Sequence, residues 1–388
     1  MAEVMFRIQL YLYSVLTAMW IFQFEPLMAS KHVSQHVGLQ VLALVQVVVI
    51  VSIFLYSKLL ERSENRNRII RITLVLRIAI SILLFITDVP TFFVIGFLIY
   101  QVGAVGCDIF YEGSLLEDIN RKGQDFGKYR MFGSLGYATS GFVVSGLLLM
   151  GGGISGMLIL SAFINSFLLF LNLKAPFSSL TTVKTSKKEV IKLPVSTILL
   201  IGFCALVTSL PGSFGYLFNG YLREQFSLPL EQVTLFVSIA VFLGSAISEV
   251  SAFYIVDTLV RKIGAKQVLI IGFVASIIRW GLAIISPNAL AFIATYIFHG
   301  INFAFLYVGF LSILKSKLGN KVVGTLTMRF NLIANLVGVG LAQMYALTLG
   351  TIGVRGILTS YLLISIFAFG FIVVFYKKLT QNKIQTGD

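Results

Sequence analysis

The chain has 388 residues, of which 57% are hydrophobic and only 12% charged. Soluble domains carry about a quarter charged residues; half that share leaves too little polar surface to solvate a globule, so the composition excludes a soluble protein and indicates an integral membrane protein. The formal net charge of +14 raises nucleic acid as a partner, and the placement of the basic residues decides against it.

A helix that spans a bilayer takes roughly 20 mostly apolar residues. Broken at its charged and Pro/Gly-rich interruptions, the chain predicts twelve such helices, over residues 5–28, 39–60, 69–88, 92–115, 128–150, 153–173, 194–220, 232–258, 266–286, 289–314, 322–349 and 353–377. The first carries Arg7, Gln9 and Gln23 with no small-residue cleavage pattern after it, which marks a retained helix and not a signal peptide. The even loops hold "KLLERSENRNRIIR", "RKGQDFGK", "KAPFSSLTTVKTSKKEVIK", "VRKIGAK" and "KSKLGNK", whereas the odd loops hold only Lys31, Arg223 and Arg355. Lys and Arg concentrate on the cytoplasmic side. Both termini and every even loop are therefore expected in the cytoplasm, in a multi-pass protein of the cell membrane, and the basic residues set topology instead of binding nucleic acid. Cys107 and Cys204 fall in separate halves with no disulfide framework or zinc spacing. No P-loop, HExxH or GxSxG occurs, so neither an enzyme nor ATP-driven transport by this chain alone is expected, and no cofactor or metal is implied.

Residues 174–193 form the one long polar stretch, six predicted helices from either end. They read as a cytoplasmic linker between an N-terminal bundle, 1–173, and a C-terminal bundle, 194–388. Each half carries a basic loop after its second helix, "YSKLLERSENRNRII" and "YIVDTLVRKIGAKQVL", about 200 residues apart. Tandem six-helix halves resemble the major facilitator architecture, which implies a twelve-helix all-α membrane fold with a solute bound near the midplane between the halves. Both loops are similar to that group's signature loop. Asp257, Arg261, Lys262, Gly264 and Lys266 fit it well; the first copy has Glu61 and Arg62 but no glycine. The resemblance implies a charge latch between helix ends that biases inward against outward states; the alternative is an ordinary positive-inside loop.

An ionisable residue at the bilayer centre costs about 2.5–3.5 kcal/mol on insertion scales, so it faces a cavity or a partner. At about 1.5 Å rise per residue, Glu249 lies about 25 Å into the eighth helix from outside, Arg279 about 20 Å into the ninth from inside and His299 about 15 Å into the tenth from outside. A carboxylate, a permanent cation and an imidazole on three consecutive helices suit proton coupling: the arginine holds the carboxylate charged, and its departure lets the carboxylate take a proton. The alternative is a static pair that glues helices. In the first half Glu25, Arg77, Asp108, Glu112 and Arg130 are candidates. Arg77 and Arg329 lie within roughly two or three turns of the cytoplasmic face, within snorkelling reach. Glu25, before Pro26, is a helix-end residue or a gate, and His32 and His36 read as solvated in an outer loop.

The fifth helix opens with Lys128 and Arg130 and carries Gly133, Gly136, Gly141 and Gly146 with Ser134, Ser140 and Ser145. Such a face lets helices approach closely in lipid. Its start, "FGKYRMFGSLGYA", resembles the lactose permease branch of the major facilitators, the oligosaccharide:proton symporters. Eighteen residues before Arg130 stands Glu112, and the resemblance implies that the two form a solute-binding pair, with Asp108 nearby and Tyr137 where that family stacks an aromatic on the sugar. The spacings from Gly264 to Arg279 and from Arg279 to His299 also match the family. Two departures place lactose specificity in doubt: Asn302 stands where the family has a proton-carrying glutamate, and Ala246 where it has a sugar-binding one. The expected function is secondary active transport of a small polar solute, oligosaccharide- or nucleoside-like, by a monomer coupled to protons. An exporter of hydrophobic drugs or metabolites and a transport-inactive sensor on the same scaffold are the alternatives.

Overall fold

A computed structural model describes residues 2–22, 24–33, 35–62, 66–122, 126–151, 153–174, 176, 195–215, 218–318 and 320–381. Among these the chain is almost wholly helical and holds no strand. In lipid every backbone N–H and C=O must be satisfied within the segment, which only helices or closed barrels achieve. In chain order the helices are α1 (Ala2–Phe22), α2 (Phe24–Ser30), α3 (Gln35–Arg62), α4 (Arg66–Ile86), α5 (Pro90–Lys122), α6 (Phe126–Leu149), α7 (Gly153–Lys174), α8 (Val195–Gly215), α9 (Phe218–Phe226) and α10 (Leu230–Val241). A π-helical segment, Phe242–Glu249, then leads into α11 (Val250–Ile263), followed by α12 (Ala265–Ile285), α13 (Ala289–Ala294), α14 (Ile297–Leu318) and α15 (Asn320–Gln381). Among the described residues, 9 helices are long and apolar enough to cross a membrane.

Helix ends follow local chemistry. Pro90 opens α5, where its missing N–H is not needed. Asn288 caps α13 by accepting from the Ala291 N–H at 2.9 Å. Gly264 joins α11 to α12 alone, at φ 89° and ψ 153°, a conformation that a side chain resists. Gly353, at φ 63° and ψ 175°, kinks α15 inside its apparent length; it stands at the break read from the sequence between 349 and 353. Lys31 reads in the sequence only as a cation of an outer loop. Its Nζ donates to the Phe85 and Thr87 carbonyls at 3.3 and 2.8 Å and to Asp88 Oδ1 at 3.1 Å, so a buried ammonium terminates α4.

The chain divides into two compact units, one of Met1–Gln124 and Phe132–Lys188, the other of Asp125–Met131 and Glu189–Asp388. The expected linker, 174–193, lies outside the described residues except for Lys174 and Pro176. In the first unit a buried serine collects the helices: Ser161 Oγ on α7 accepts from Trp20 Nε1 of α1 at 3.2 Å and bonds Tyr100 Oη of α5 at 3.0 Å and Ser81 Oγ of α4 at 3.1 Å. Gly136 brings α6 against α1, because a methyl there would overlap the Tyr11 backbone. One at Gly146 meets nothing within 4 Å, so close packing accounts for Gly136 and not for Gly146. The second unit packs Cys204 and Val207 of α8, Leu269 and Phe273 of α12, Leu306 and Phe310 of α14, and Phe330 and Ile372 of α15 into one apolar core.

Candidate functional site

The second unit gathers its buried ionisable groups around α12 and α14. Arg279, on α12, is 2% exposed. Its Nη1 donates to Nδ1 of His299 on α14 at 2.9 Å, and its charge centre lies 4.5 Å from the ring centroids of both Trp280 and Tyr296. A guanidinium is donor-only, so Nδ1 of His299 is the acceptor and the ring's proton sits on Nε2. Among the described residues no carboxylate lies within ion-pair distance of Arg279. The sequence reading had the arginine hold Glu249 charged; in this state its bond goes to the histidine instead.

Glu249 occupies the neighbouring wall. It is the last residue of the π-helical segment and is 6% exposed. A methyl at Gly300, the residue after His299, would overlap the backbone of Ser248 and Glu249. One at Gly244 would lie 3.3 Å from the His299 ring. Ser248 Oγ donates to the Ile297 carbonyl. The π segment and the start of α14 are thus in backbone contact, which glycine alone permits, and that contact sets the Glu249 backbone against Gly300, the residue after His299. Asn302 is 1% exposed, and its amide donates to the Gly272 carbonyl at 3.1 Å. It ties α14 to α12 and has no proton to exchange.

Sequence reasoning missed the aromatic face of α14. His299, Phe303 and Tyr307 recur every four residues, with ring centroids 6.4 and 5.8 Å apart and interplanar angles of 25° and 24°. Arg130, in the part of α6 that falls with the second unit, has its charge centre 5.8 Å from the Phe303 ring centroid. The i, i+4, i+8 spacing of the three rings was the readable signal.

The remaining expectations fare unevenly. Glu112 lies on α5 with its side chain outside the described residues, as do the side chains of Glu25, His36 and Arg329, so the expected Glu112–Arg130 pair falls outside them too. Asp108 is exposed and Tyr137 half-buried. His32 is exposed. In the signature loop Asp257 is half-buried, Arg261 and Lys262 are exposed, and Gly264 makes the turn described above. Arg77 corrects the snorkelling expectation. It is 0% exposed, and Nη2 donates to Tyr100 Oη at 2.7 Å in the interior of the first unit. The depth count gave its height in the bilayer but not its direction, and it points along the inner face of α4.

The chain is similar in fold to several solved transporters. A mutant of the nucleoside transporter NupG aligns with TM-score 0.70 and 15% identity, covering 97% of this chain and 100% of that one. A bacterial homologue of the iron transporter ferroportin, in its outward-facing state, gives 0.66 and 16%, covering 98% and 100%. A mutant of the peptide transporter POT in complex with sulfate gives 0.70 and 14%, covering 97% and 94%. No curated protein matches the sequence. Over residues 5–348 the sequence matches the MFS_1 like family; the chain belongs to that family, and it is a multi-pass membrane transporter of the major facilitator type, not an enzyme.

Proposed function

We propose that this chain is a proton-coupled secondary transporter of a small polar solute, oligosaccharide- or nucleoside-like, with twelve membrane helices in two six-helix bundles, both termini cytoplasmic, working as a monomer in the cell membrane. The observation that carries the coupling is the part-buried Arg279–His299 bond at 2.9 Å, with the buried Glu249 packed through its backbone against Gly300, the residue after His299. In this reading the Arg279 guanidinium alternates between two acceptors, His299 Nδ1 and the Glu249 carboxylate, and a proton decides between them. With Glu249 protonated, Arg279 bonds His299 Nδ1. Loss of that proton creates a carboxylate that draws the guanidinium away, and its return releases Arg279 back to the imidazole. The π-helical segment ending at Glu249 supports this reading, because such bulges are frequent at functional sites.

Solute contacts follow the family resemblance: Glu112 and Arg130 for hydroxyls, Tyr137 for stacking, and Asp108 beside them. Asp257, Arg261, Lys262 and Gly264 form the conformational latch. Fold similarity to a nucleoside transporter places nucleosides in the first substrate panel. The aromatic face His299–Phe303–Tyr307 favours a second reading, export of hydrophobic ring compounds.

Uptake into proteoliposomes under an imposed pH gradient tests the coupling, with oligosaccharides and nucleosides as solutes. Gradient-driven accumulation is expected in the wild type, with Glu249→Gln retaining exchange but losing accumulation and His299→Gln weakening both. Flux indifferent to the gradient removes the coupling. Outward pumping of aromatic dyes with no solute uptake selects the second reading.

A further inference from the structure

The first unit buries a cation that meets no carboxylate among the described residues. Arg77 is 0% exposed in the middle of the candidate span Arg66–Ile86. Nη2 is used by Tyr100, but Nη1 and Nε have no hydrogen-bond partner; the Cys107 thiol, a weak acceptor, is the other polar group beside the guanidinium. The charge centre lies 4.8 Å from the ring centroid of Tyr100 and 5.7 Å from that of Tyr13. Among the described residues no carboxylate is within ion-pair distance. Asp108, one position off the α5 face made by Tyr100, Gly103 and Cys107, is exposed. A guanidinium cannot shed its proton, and an unpaired charge in this setting costs more than two ring faces return.

The second unit shows what a satisfied version looks like. α4 and α12 are each 21 residues long. Each carries one buried arginine under aromatic rings, less than about one turn apart in register. Each also carries a serine bonded to a serine of a later helix, Ser81 to Ser161 at 3.1 Å and Ser276 to Ser365 at 2.9 Å. Arg279 has an acceptor in His299; Arg77 has two buried donors that no acceptor meets. Gly103 lets the Arg77 stem lie flat against α5, where a methyl would stand 2.9 Å from Arg77 Cγ.

We infer that Arg77, roofed by Tyr13 and Tyr100 and flanked by Gly103, is an anion-binding site of the first unit that takes one small monovalent anionic group, a halide or a carboxylate. Two guanidinium nitrogens without an acceptor match a small group of single charge. The site is independent of the proton reading, which concerns other residues.

Thermal unfolding of the purified full-length chain tests it, followed by tryptophan fluorescence; the Trp20 and Tyr100 ring centroids are 4.2 Å apart. Sodium gluconate is replaced at constant ionic strength by chloride, bromide, formate or acetate. The wild-type midpoint rises saturably with the small anions. Arg77→Met abolishes the response and melts in gluconate no lower than the wild type, because the uncompensated charge is gone. Gly103→Ala, which displaces the side chain but keeps its charge, needs about tenfold more anion, the worth of one charge-assisted hydrogen bond. A response to halides alone assigns an inorganic ion, and one that extends to formate and acetate assigns a carboxylate group. No response in the wild type, or an equal response in Arg77→Met, overturns the site. Should Arg77→Met fail to fold, Arg77→Lys decides: a weakened response supports the site and an unchanged one overturns it.

Discussion

Gly300→Ala tests whether the contact between the π-helical segment and α14 sets the position of Glu249. The new methyl would overlap the Ser248 and Glu249 backbone, and backbone cannot swing aside as a flexible side chain does. The two helices must separate by about 1 Å, which forfeits a quarter to a half of each dispersion contact across the seam. The Ser248–Ile297 hydrogen bond, worth about 1 kcal/mol net, is stretched as well. Overpacking costs about 1–3 kcal/mol, against an offset of about 1 kcal/mol from replacing a helical glycine by alanine. The expected net loss is about 1–3 kcal/mol, read as a lower midpoint in detergent with scan rate held fixed. Gradient-driven uptake falls further than the midpoint implies, because the π segment that carries Glu249 shifts against α14, which carries His299. Gly202→Ala, on α8 with nothing within 4 Å of its methyl, is the control and leaves both unchanged or slightly improved. An alanine at 300 with wild-type midpoint and uptake refutes the argument that backbone contact positions Glu249.

Three further outcomes follow from geometry already described. Lys31→Met removes a buried cap from α4 and lowers stability by about 2 kcal/mol, whereas Asp88→Asn changes it by less than about 0.5 kcal/mol, because Asp88 is 86% exposed; equal losses in a melting assay contradict the backbone-capping account. Gly264→Ala forces a side chain to φ 89° and costs about 1–3 kcal/mol, seen as a reduced folded yield on size-exclusion chromatography. Asn302→Asp exchanges a donor to the Gly272 carbonyl for a buried anion, lowering stability by about 3 kcal/mol or more without restoring proton coupling; enhanced gradient-driven uptake in that variant goes against the structural role of Asn302.

The split between what was legible and what was not has a physical origin. Hydropathy reports depth, because each apolar run must match the thickness of the hydrocarbon, so the sequence alone determined a multi-pass helical protein, the glycine that turns α11 into α12, and the break at Gly353. Spacing likewise marked Glu249, Arg279 and His299 as charges needing company. Azimuth is a different matter: which way a side chain points around its helix, and what meets it there, depends on neighbours far away in sequence. Only the tertiary structure decided that Arg279 bonds His299 and not Glu249, that Arg77 turns inward instead of reaching for the cytoplasmic surface, and that Lys31 closes α4. The π-helical stretch ending at Glu249 was equally unreadable: it lies where α14 approaches through Gly244 and Gly300, and no run of seven or eight residues announces such a contact in advance.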